Sequence, residues 1–200
     1  MVAETSVLVV AAAVVMVLYV DFGAGYPDTD PVAVSAIALV AGVAFIGSVF
    51  AHEASHAVVA QRRGMDVRRV QLLAFGGYTM IDGTSEQSAD EFVISASGPV
   101  VSLILGAILW LAAGAMTGAP AAQEATRFIA FINLFIAAFN LIPGFPLDGG
   151  RVLRAGVWHF NDDRVRATAL AVQAGRVFGW FVIGTATFVA LVTLSPWALL

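Results

Sequence analysis

Long apolar runs separated by short polar segments dominate this sequence. The runs cover roughly residues 6–20, 32–61, 91–116, 121–141 and 164–194. A helix needs roughly 20 mostly apolar residues to cross a bilayer, so the last four runs are long enough to span it. The first run is short, and we expect its helix to begin within the first five residues or to lie tilted. The pattern predicts a mainly α fold, a polytopic membrane helical bundle of about five to six transmembrane helices.

The stretch 64–83 interrupts this helical pattern. Residues 67–75 favour strand, Gly76-Gly77 breaks the run, and residues 78–81 resume it. Non-helical backbone at membrane depth is tolerated only against protein or water. We therefore expect a small membrane-associated β-hairpin or sheet that lies in the interface or re-enters the protein.

Composition supports a membrane protein and excludes several other classes. The chain is 60% hydrophobic and 12% charged, whereas a soluble domain is about 45–50% apolar and about 25% charged. The absence of cysteine excludes disulfides and thiolate metal sites. The net charge is only −4, and no basic patch indicates a nucleic-acid partner. With no internal repeat or second domain visible, we expect residues 1–200 to form a single membrane-embedded core.

The arginines predict the orientation of the chain. Under the five-span arrangement most of them fall on one side of the bilayer, where the positive-inside rule places the cytoplasm. We therefore expect a multi-pass protein of the cell (plasma) membrane whose N-terminus, hairpin and 141–150 loop face the cytoplasm. The arginines on that side are Arg62, Arg63, Arg68, Arg69, Arg151, Arg154, Arg164 and Arg166.

Two histidines and a carboxylate stand inside the second apolar run. His52 lies roughly 15 Å from Arg62 along a helix, about halfway into a hydrocarbon core roughly 30 Å thick. His52 and His56 are four positions apart and share a helix face, so their imidazoles can bind one zinc ion. Glu53 can then act as the general base of a metalloprotease. The alternative is that neighbouring groups satisfy the hydrogen bonds of both histidines without a metal. The cost of burying ionisable groups in lipid disfavours this alternative.

A catalytic zinc takes a third protein ligand and keeps one position open for a water of lowered pKa. His159 is one candidate, but it stands in a predicted amphipathic interface helix over 149–160. Asp148 is favoured, because Pro143 and Pro146 stop the preceding helix and the glycine pair 149–150 lets the backbone turn inward. An ordinary surface turn is the alternative for this segment.

These motifs resemble a known family. His52-Glu-x-x-His56 on the second span, combined with Asn140-x-x-Pro-x-x-Pro-x-Asp148-Gly, resembles the site-2 protease family of intramembrane zinc metalloproteases. Ser97-Gly98-Pro99 matches a further motif of that family, and Gly76-Gly77 after a strand-like run resembles the family's membrane-associated β-hairpin.

The resemblance implies a role for each matching residue. His52, His56 and Asp148 would bind one Zn²⁺ per chain, and Glu53 would activate the water and shuttle its proton. Asn140 would hydrogen-bond the substrate backbone or help to hold the oxyanion; an interhelical hydrogen bond is the alternative. Ser97 and Pro99 would shape the third helix near the site.

The resemblance also implies a substrate class. Family members cleave membrane-spanning helices in regulated intramembrane proteolysis, so the expected partner is a single-span protein such as an anti-sigma factor or a membrane-tethered regulator. The chain departs from the family in its five rather than six predicted spans, its short first span, and the lack of a visible CBS pair or PDZ domain. It is therefore expected to be a core fragment or a minimal member.

Two other functions compete with the protease hypothesis. A membrane metal-ion transporter can also carry His-Glu-x-x-His in a helix, but it should show a file of ligands along a path. A catalytically inactive relative acting as a membrane chaperone should lack a ligand or the base, and none is missing here.

Overall fold

The computed structural model describes residues 2–3, 5–73, 76–81 and 87–193. Within this part of the chain there are six helices and three strands. The helices are α1 Thr5–Gly25, α2 Pro31–Arg62, α3 Ser88–Ala115, α4 Pro120–Asn140, α5 Asp148–Asn161 and α6 Arg164–Thr193. The strands are β1 Val2–Ala3, β2 Val67–Leu73 and β3 Gly76–Ile81.

Four helices, α2, α3, α4 and α6, are long and apolar enough to cross a membrane. They confirm four of the predicted spans and a multi-pass helical membrane fold. The first predicted run is part of α1, in which Val9–Gly25 forms a shorter apolar helix. The sequence predicts an acidic loop from Asp21 to Pro31 between the first two runs. Because α1 continues through Asp21 to Gly25, that loop is reduced to residues 26–30. Pro196, where the sequence predicts that a sixth span at most begins, lies outside the described residues.

The start of α2 follows from its local sequence. Asp30 caps the helix by accepting a hydrogen bond from the Val32 backbone N–H at 2.9 Å. Pro31 occupies the first turn, where its missing N–H removes no helical hydrogen bond. The helix then continues past both histidines to Arg62, as the sequence predicts.

Ser97-Gly98-Pro99 stands in the first turns of the third predicted span, where the sequence predicts an interruption, and that prediction is wrong. Helix α3 runs without a break from Ser88 to Ala115, with Pro99 inside it. Proline is tolerated within a membrane helix when neighbouring groups satisfy the backbone around it. The carbonyl oxygen that loses its helical donor at Pro99 is that of Ser95, and the Ser97 hydroxyl donates to the adjacent Ile94 carbonyl oxygen at 2.7 Å.

Helix α3 lies at the centre of the bundle and packs against α2, α4 and α5. Gly106 lets α4 approach closely, since a β-carbon there would lie 2.7 Å from the Leu134 side chain. A polar contact also joins α2 and α4: the buried Asn133 amide donates to Ser48 Oγ at 2.8 Å. An apolar core joins α1, α2 and α4 through Leu18, Phe22, Val34, Ala38, Ala41, Ala125 and Ile129.

The three strands form one sheet in the order β1-β2-β3, packed beside α2. Strands β2 and β3 are antiparallel neighbours, with Leu73 opposite Gly76. Strand β1 pairs parallel to β2, with Val2 opposite Gln71. The sequence did not predict β1, because two residues are too few to carry a strand period.

A buried ion pair holds α5 against α3. Arg154 Nε donates to Glu91 Oε1 at 2.6 Å, and its Nη2 contacts the same oxygen. The Glu91 side chain is 1% exposed and that of Arg154 is 17% exposed. The guanidinium also lies over the Phe145 ring, 5.0 Å from its centroid. The sequence placed Arg154 on the polar face of an interface helix; instead it fastens the helix that begins with Asp148.

We expect Arg154→Met to lower the free energy of unfolding by about 3–5 kcal/mol, because it leaves a buried carboxylate unpaired. Arg63→Met is the matched control, since Arg63 pairs with Asp90 at 2.6 Å but is 40% exposed. Its expected cost is about 1 kcal/mol or less. Equilibrium unfolding in detergent measures both, and adding Glu91→Gln to Arg154→Met should recover most of the loss. Equal losses in the two arginine variants would contradict the assignment.

Candidate metal centre

The structure brings His52, His56 and Asp148 together at one point. Asp148 Oδ2 lies 3.1 Å from His52 Nε2 and 3.2 Å from His56 Nε2. All three candidate ligand atoms lie within 4.8 Å of one another. Both histidines are buried, and the Asp148 side chain is 14% exposed. The two histidines come from adjacent turns of α2, whereas Asp148 comes from the first turn of α5.

The segment after α4 folds back and delivers Asp148. The Phe145 backbone N–H donates to the Ala171 carbonyl oxygen of α6 at 3.2 Å. Gly149 and Gly150 lie within the first turn of α5, so they do not form the predicted turn. Their role is close packing: a β-carbon at Gly149 would lie 2.5 Å from the Leu141 carbonyl carbon, and one at Gly150 would lie 2.7 Å from the Gly144 oxygen.

The hydrogen bonds of His56 determine which of its nitrogens faces the cluster. His56 Nδ1 lies 2.7 Å from the Ile94 carbonyl oxygen, which only accepts, so Nδ1 carries the proton. In the neutral ring, Nε2 then presents a lone pair to the Asp148 carboxylate. Two acceptors 3.2 Å apart are held together either by a proton on Nε2 or by a cation between them. Because His52 Nε2 converges on the same place, a single metal ion satisfies all three atoms.

Gly98 leaves the space that such an ion needs. A β-carbon on Gly98 would lie 2.6 Å from His52 Nε2 and closer still to His56 Nε2. Zinc binds imidazole nitrogen at about 2.0–2.1 Å, so this β-carbon would stand close to the ion's own position. The donor set and the open volume therefore both fit a zinc ion.

Glu53 follows His52 directly on α2 and is 8% exposed, so a buried carboxylate stands next in sequence to the first histidine of the cluster. Asn140 is the last residue of α4, and its amide donates to the Ile136 carbonyl oxygen of its own helix at 3.0 Å. That hydrogen bond lies within one helix. The alternative that the sequence offered to a substrate contact was a hydrogen bond from Asn140 to another helix. The substrate-facing role of Asn140 stays a prediction.

The residues disfavoured as ligands lie elsewhere. His159 is exposed, and its Nδ1 lies 3.4 Å from Ser88 Oγ. Glu124, which the sequence places near the opposite face of the membrane and pairs with Arg127, accepts a hydrogen bond from the Tyr26 hydroxyl, and this bond raises the pKa of Tyr26. Neither residue belongs to the group of possible metal ligands found among the described residues.

Sequence reasoning missed the groups of α3 that surround the histidines. They include the Ile94 carbonyl oxygen, the Ser102 hydroxyl and the missing side chain of Gly98. One signal was present, since small residues at 98, 102 and 106 predict that another helix approaches α3 closely. What the spacing did not indicate is that His52 and His56 are the side chains that approach Gly98.

A carboxylate and two imidazoles that converge inside a membrane helical bundle form the kind of ligand set that zinc metallopeptidases use. The family comparison agrees: peptidase family M50 matches residues 40–127 and 119–182. The chain therefore belongs to peptidase family M50, the site-2 protease family that its motifs resemble. The three clustered residues form a group that could hold a metal ion, and zinc is the ion that this set of imidazole and carboxylate ligands fits.

Two relatives and one solved structure illustrate the similarity. The chain is 43% identical over 154 residues to Rip3 of Mycobacterium tuberculosis, whose name assigns it to the zinc metalloproteases; the match covers 74% of this chain and 39% of Rip3. It is 36% identical over 129 residues to the zinc metalloprotease MJ0392 of Methanocaldococcus jannaschii, covering 64% of this chain and 37% of that protein. The chain thus spans about two fifths of the length of these relatives.

The fold also has a solved counterpart. The site-2 protease structure from Methanocaldococcus jannaschii superposes with a TM-score of 0.61 at 23% sequence identity. The match covers 96% of this chain and 81% of the other. At this identity the likeness shows the fold alone.

Proposed function

We propose that this chain is an intramembrane zinc endopeptidase that cleaves transmembrane segments of membrane-anchored substrates in regulated intramembrane proteolysis. The observation that carries the proposal is the convergence of His52 Nε2, His56 Nε2 and Asp148 Oδ2, with Glu53 beside the first of them. The two histidines stand within α2, which is long and apolar enough to span a membrane. A metal site at that depth suits a peptide bond that lies within the bilayer.

The three clustered residues would hold zinc, and their geometry supports this role. Zinc bound there would polarise a scissile carbonyl and lower the pKa of a water toward about 7. The Glu53 carboxylate would take a proton from the attacking water and pass it to the leaving amine. Burial of both histidines excludes bulk solvent from one side of the cluster.

Asn140 would contact the substrate. Its amide carries two hydrogens, one of which is bound to the Ile136 carbonyl oxygen. The other would donate to a substrate carbonyl or to the developing oxyanion, where preorganised donors stabilise negative charge.

The partner of this site would be a single-span membrane protein of the anti-sigma factor or membrane-tethered regulator class. The protein would reside in the cell membrane as one membrane-embedded core over residues 1–200, with the active site toward the cytoplasmic side. The sheet of β1, β2 and β3 would lie against the membrane surface, next to the α2 terminus at Arg62.

Metal transport is the disfavoured alternative. A transport path requires successive ligand sets, whereas the described residues contain one group of possible ligands, which converges on one point. The decisive test is a zinc stoichiometry and a cleavage assay on the same purified protein with a reconstituted single-span substrate. We expect one zinc per chain, and cleavage that a chelator abolishes and zinc restores. Zinc movement across vesicles without cleavage would reverse the assignment.

Asp148→Ala tests the third ligand. Loss of a residue that merely orients a ligand costs about 10–100-fold in metal affinity, so loss of the ligand itself should cost more than about 100-fold. Chelator competition measures the affinity, with His159→Ala as the control, since His159 is exposed and outside the cluster. Equal affinities in the two variants would exclude Asp148 as a ligand.

A further inference from the structure

Two serines of α3 are fully buried but differ in their contacts. Ser95 and Ser102 are both 0% exposed. Ser102 Oγ lies 2.9 Å from His52 Nδ1. Ser95 Oγ is a buried atom with no hydrogen-bond partner among the described residues. The helix therefore carries two matched hydroxyls, of which one touches the metal centre.

His52 can bind a metal through Nε2 only if its proton is on Nδ1. That proton then needs an acceptor, because an unpaired N–H in a buried site costs about 1–3 kcal/mol. His52 is 3% exposed, so water does not readily replace a lost partner. Ser102 Oγ is the acceptor that the described residues provide for Nδ1.

The two histidines differ in how they are held. His56 donates to the Ile94 backbone carbonyl, which no side-chain substitution removes, and Ser97 Oγ lies 3.3 Å from the same nitrogen. His52 depends on a side chain instead. A hydroxyl both donates and accepts, so it becomes an acceptor for Nδ1 only by turning its own hydrogen away.

We infer that Ser102 is a positioning residue of the metal centre: its hydroxyl oxygen keeps the His52 proton on Nδ1 and so presents the Nε2 lone pair to the metal. This inference rests on the zinc site proposed above. The groups that orient a metal-ligating histidine set its tautomer and ring angle, and their loss costs about 10–100-fold in metal affinity. Ser102 therefore acts on the metal through His52 without touching the substrate.

The test compares Ser102→Ala with Ser95→Ala in the full chain, purified in detergent. Chelator competition gives the zinc affinity, and the visible spectrum of the cobalt-substituted protein reports the geometry of the ligands. We expect Ser102→Ala to bind zinc about 10–100-fold more weakly and to alter the cobalt spectrum. Ser95→Ala should match the unmodified protein in both measurements, because it removes an equally buried hydroxyl that holds no ligand.

A second pair of variants separates the hydroxyl from the packing. Ser102→Thr and Ser102→Val have the same shape and differ only in the hydroxyl, so any strain from the added methyl group is common to both. We expect Thr to keep the affinity that Val loses. Equal affinities within the Thr and Val pair, or within the Ala pair, would overturn the role of Ser102 while leaving the zinc site intact. Failure of the unmodified protein to bind zinc would instead reject the proposed function itself.

Discussion

Glu53→Gln should keep zinc and lose proteolysis. The substitution preserves the size and the polar character of the side chain but removes the carboxylate that can accept a proton. Positioned general acid–base catalysis contributes about 10²–10⁴-fold to a rate, so cleavage of a reconstituted single-span substrate should fall by that factor. Zinc content should not change, since the clustered ligand atoms come from His52, His56 and Asp148.

The matched control for this experiment is Glu124→Gln. Glu124 is an exposed carboxylate of α4 whose partner is the Tyr26 hydroxyl, and it lies outside the cluster. The same change of charge there should leave the cleavage rate unaltered. If the Glu53 variant cleaves as fast as the Glu124 variant with full zinc occupancy, Glu53 is not the base and the mechanism fails.

The histidine pair was predictable because its geometry is local. A spacing of four on a helix places His52 and His56 on one face whatever the rest of the chain does. The return of Asp148 toward the histidines was also predictable from the sequence, since Pro143 and Pro146 must end α4 before Asp148. The reason assigned to the glycines was wrong, because the tight approach of Gly149 to the Leu141 carbonyl becomes visible only when the two segments are seen together.

The environment of the site was not predictable from one sequence, because it depends on contacts between distant segments. Ser102 meets His52 across 50 positions of sequence, and Glu91 meets Arg154 across 63. Arg154 was predicted to lie at the membrane interface because the pattern of polar and apolar positions shows which face of the helix it occupies but not which residue it contacts. The predicted interruption of the third helix at Pro99 was wrong for a related reason: proline breaks helices in general, yet here it lies inside a packed membrane helix.

Gly98→Ala should abolish zinc binding without removing any ligand. The added β-carbon would lie 2.6 Å from His52 Nε2 and nearer to His56 Nε2, so it would push both imidazoles away from the positions in which they meet Asp148. Alanine is a better helix former than glycine by about 1 kcal/mol, so the substitution does not lower the intrinsic stability of helix α3. The expected result is a folded protein with no measurable zinc and no cleavage.

Gly114→Ala is the control for this substitution, because Gly114 also lies in α3 but a β-carbon there meets nothing within 4 Å. It should bind zinc like the unmodified protein. Metal analysis and thermal unfolding of both variants in chelator separate loss of the ion from loss of the fold. Full zinc occupancy in the Gly98 variant would mean that the ion does not stand between the two imidazoles. A methyl group that abolishes zinc binding while every ligand remains would show that the site needs the close approach of the two imidazoles to α3 at position 98.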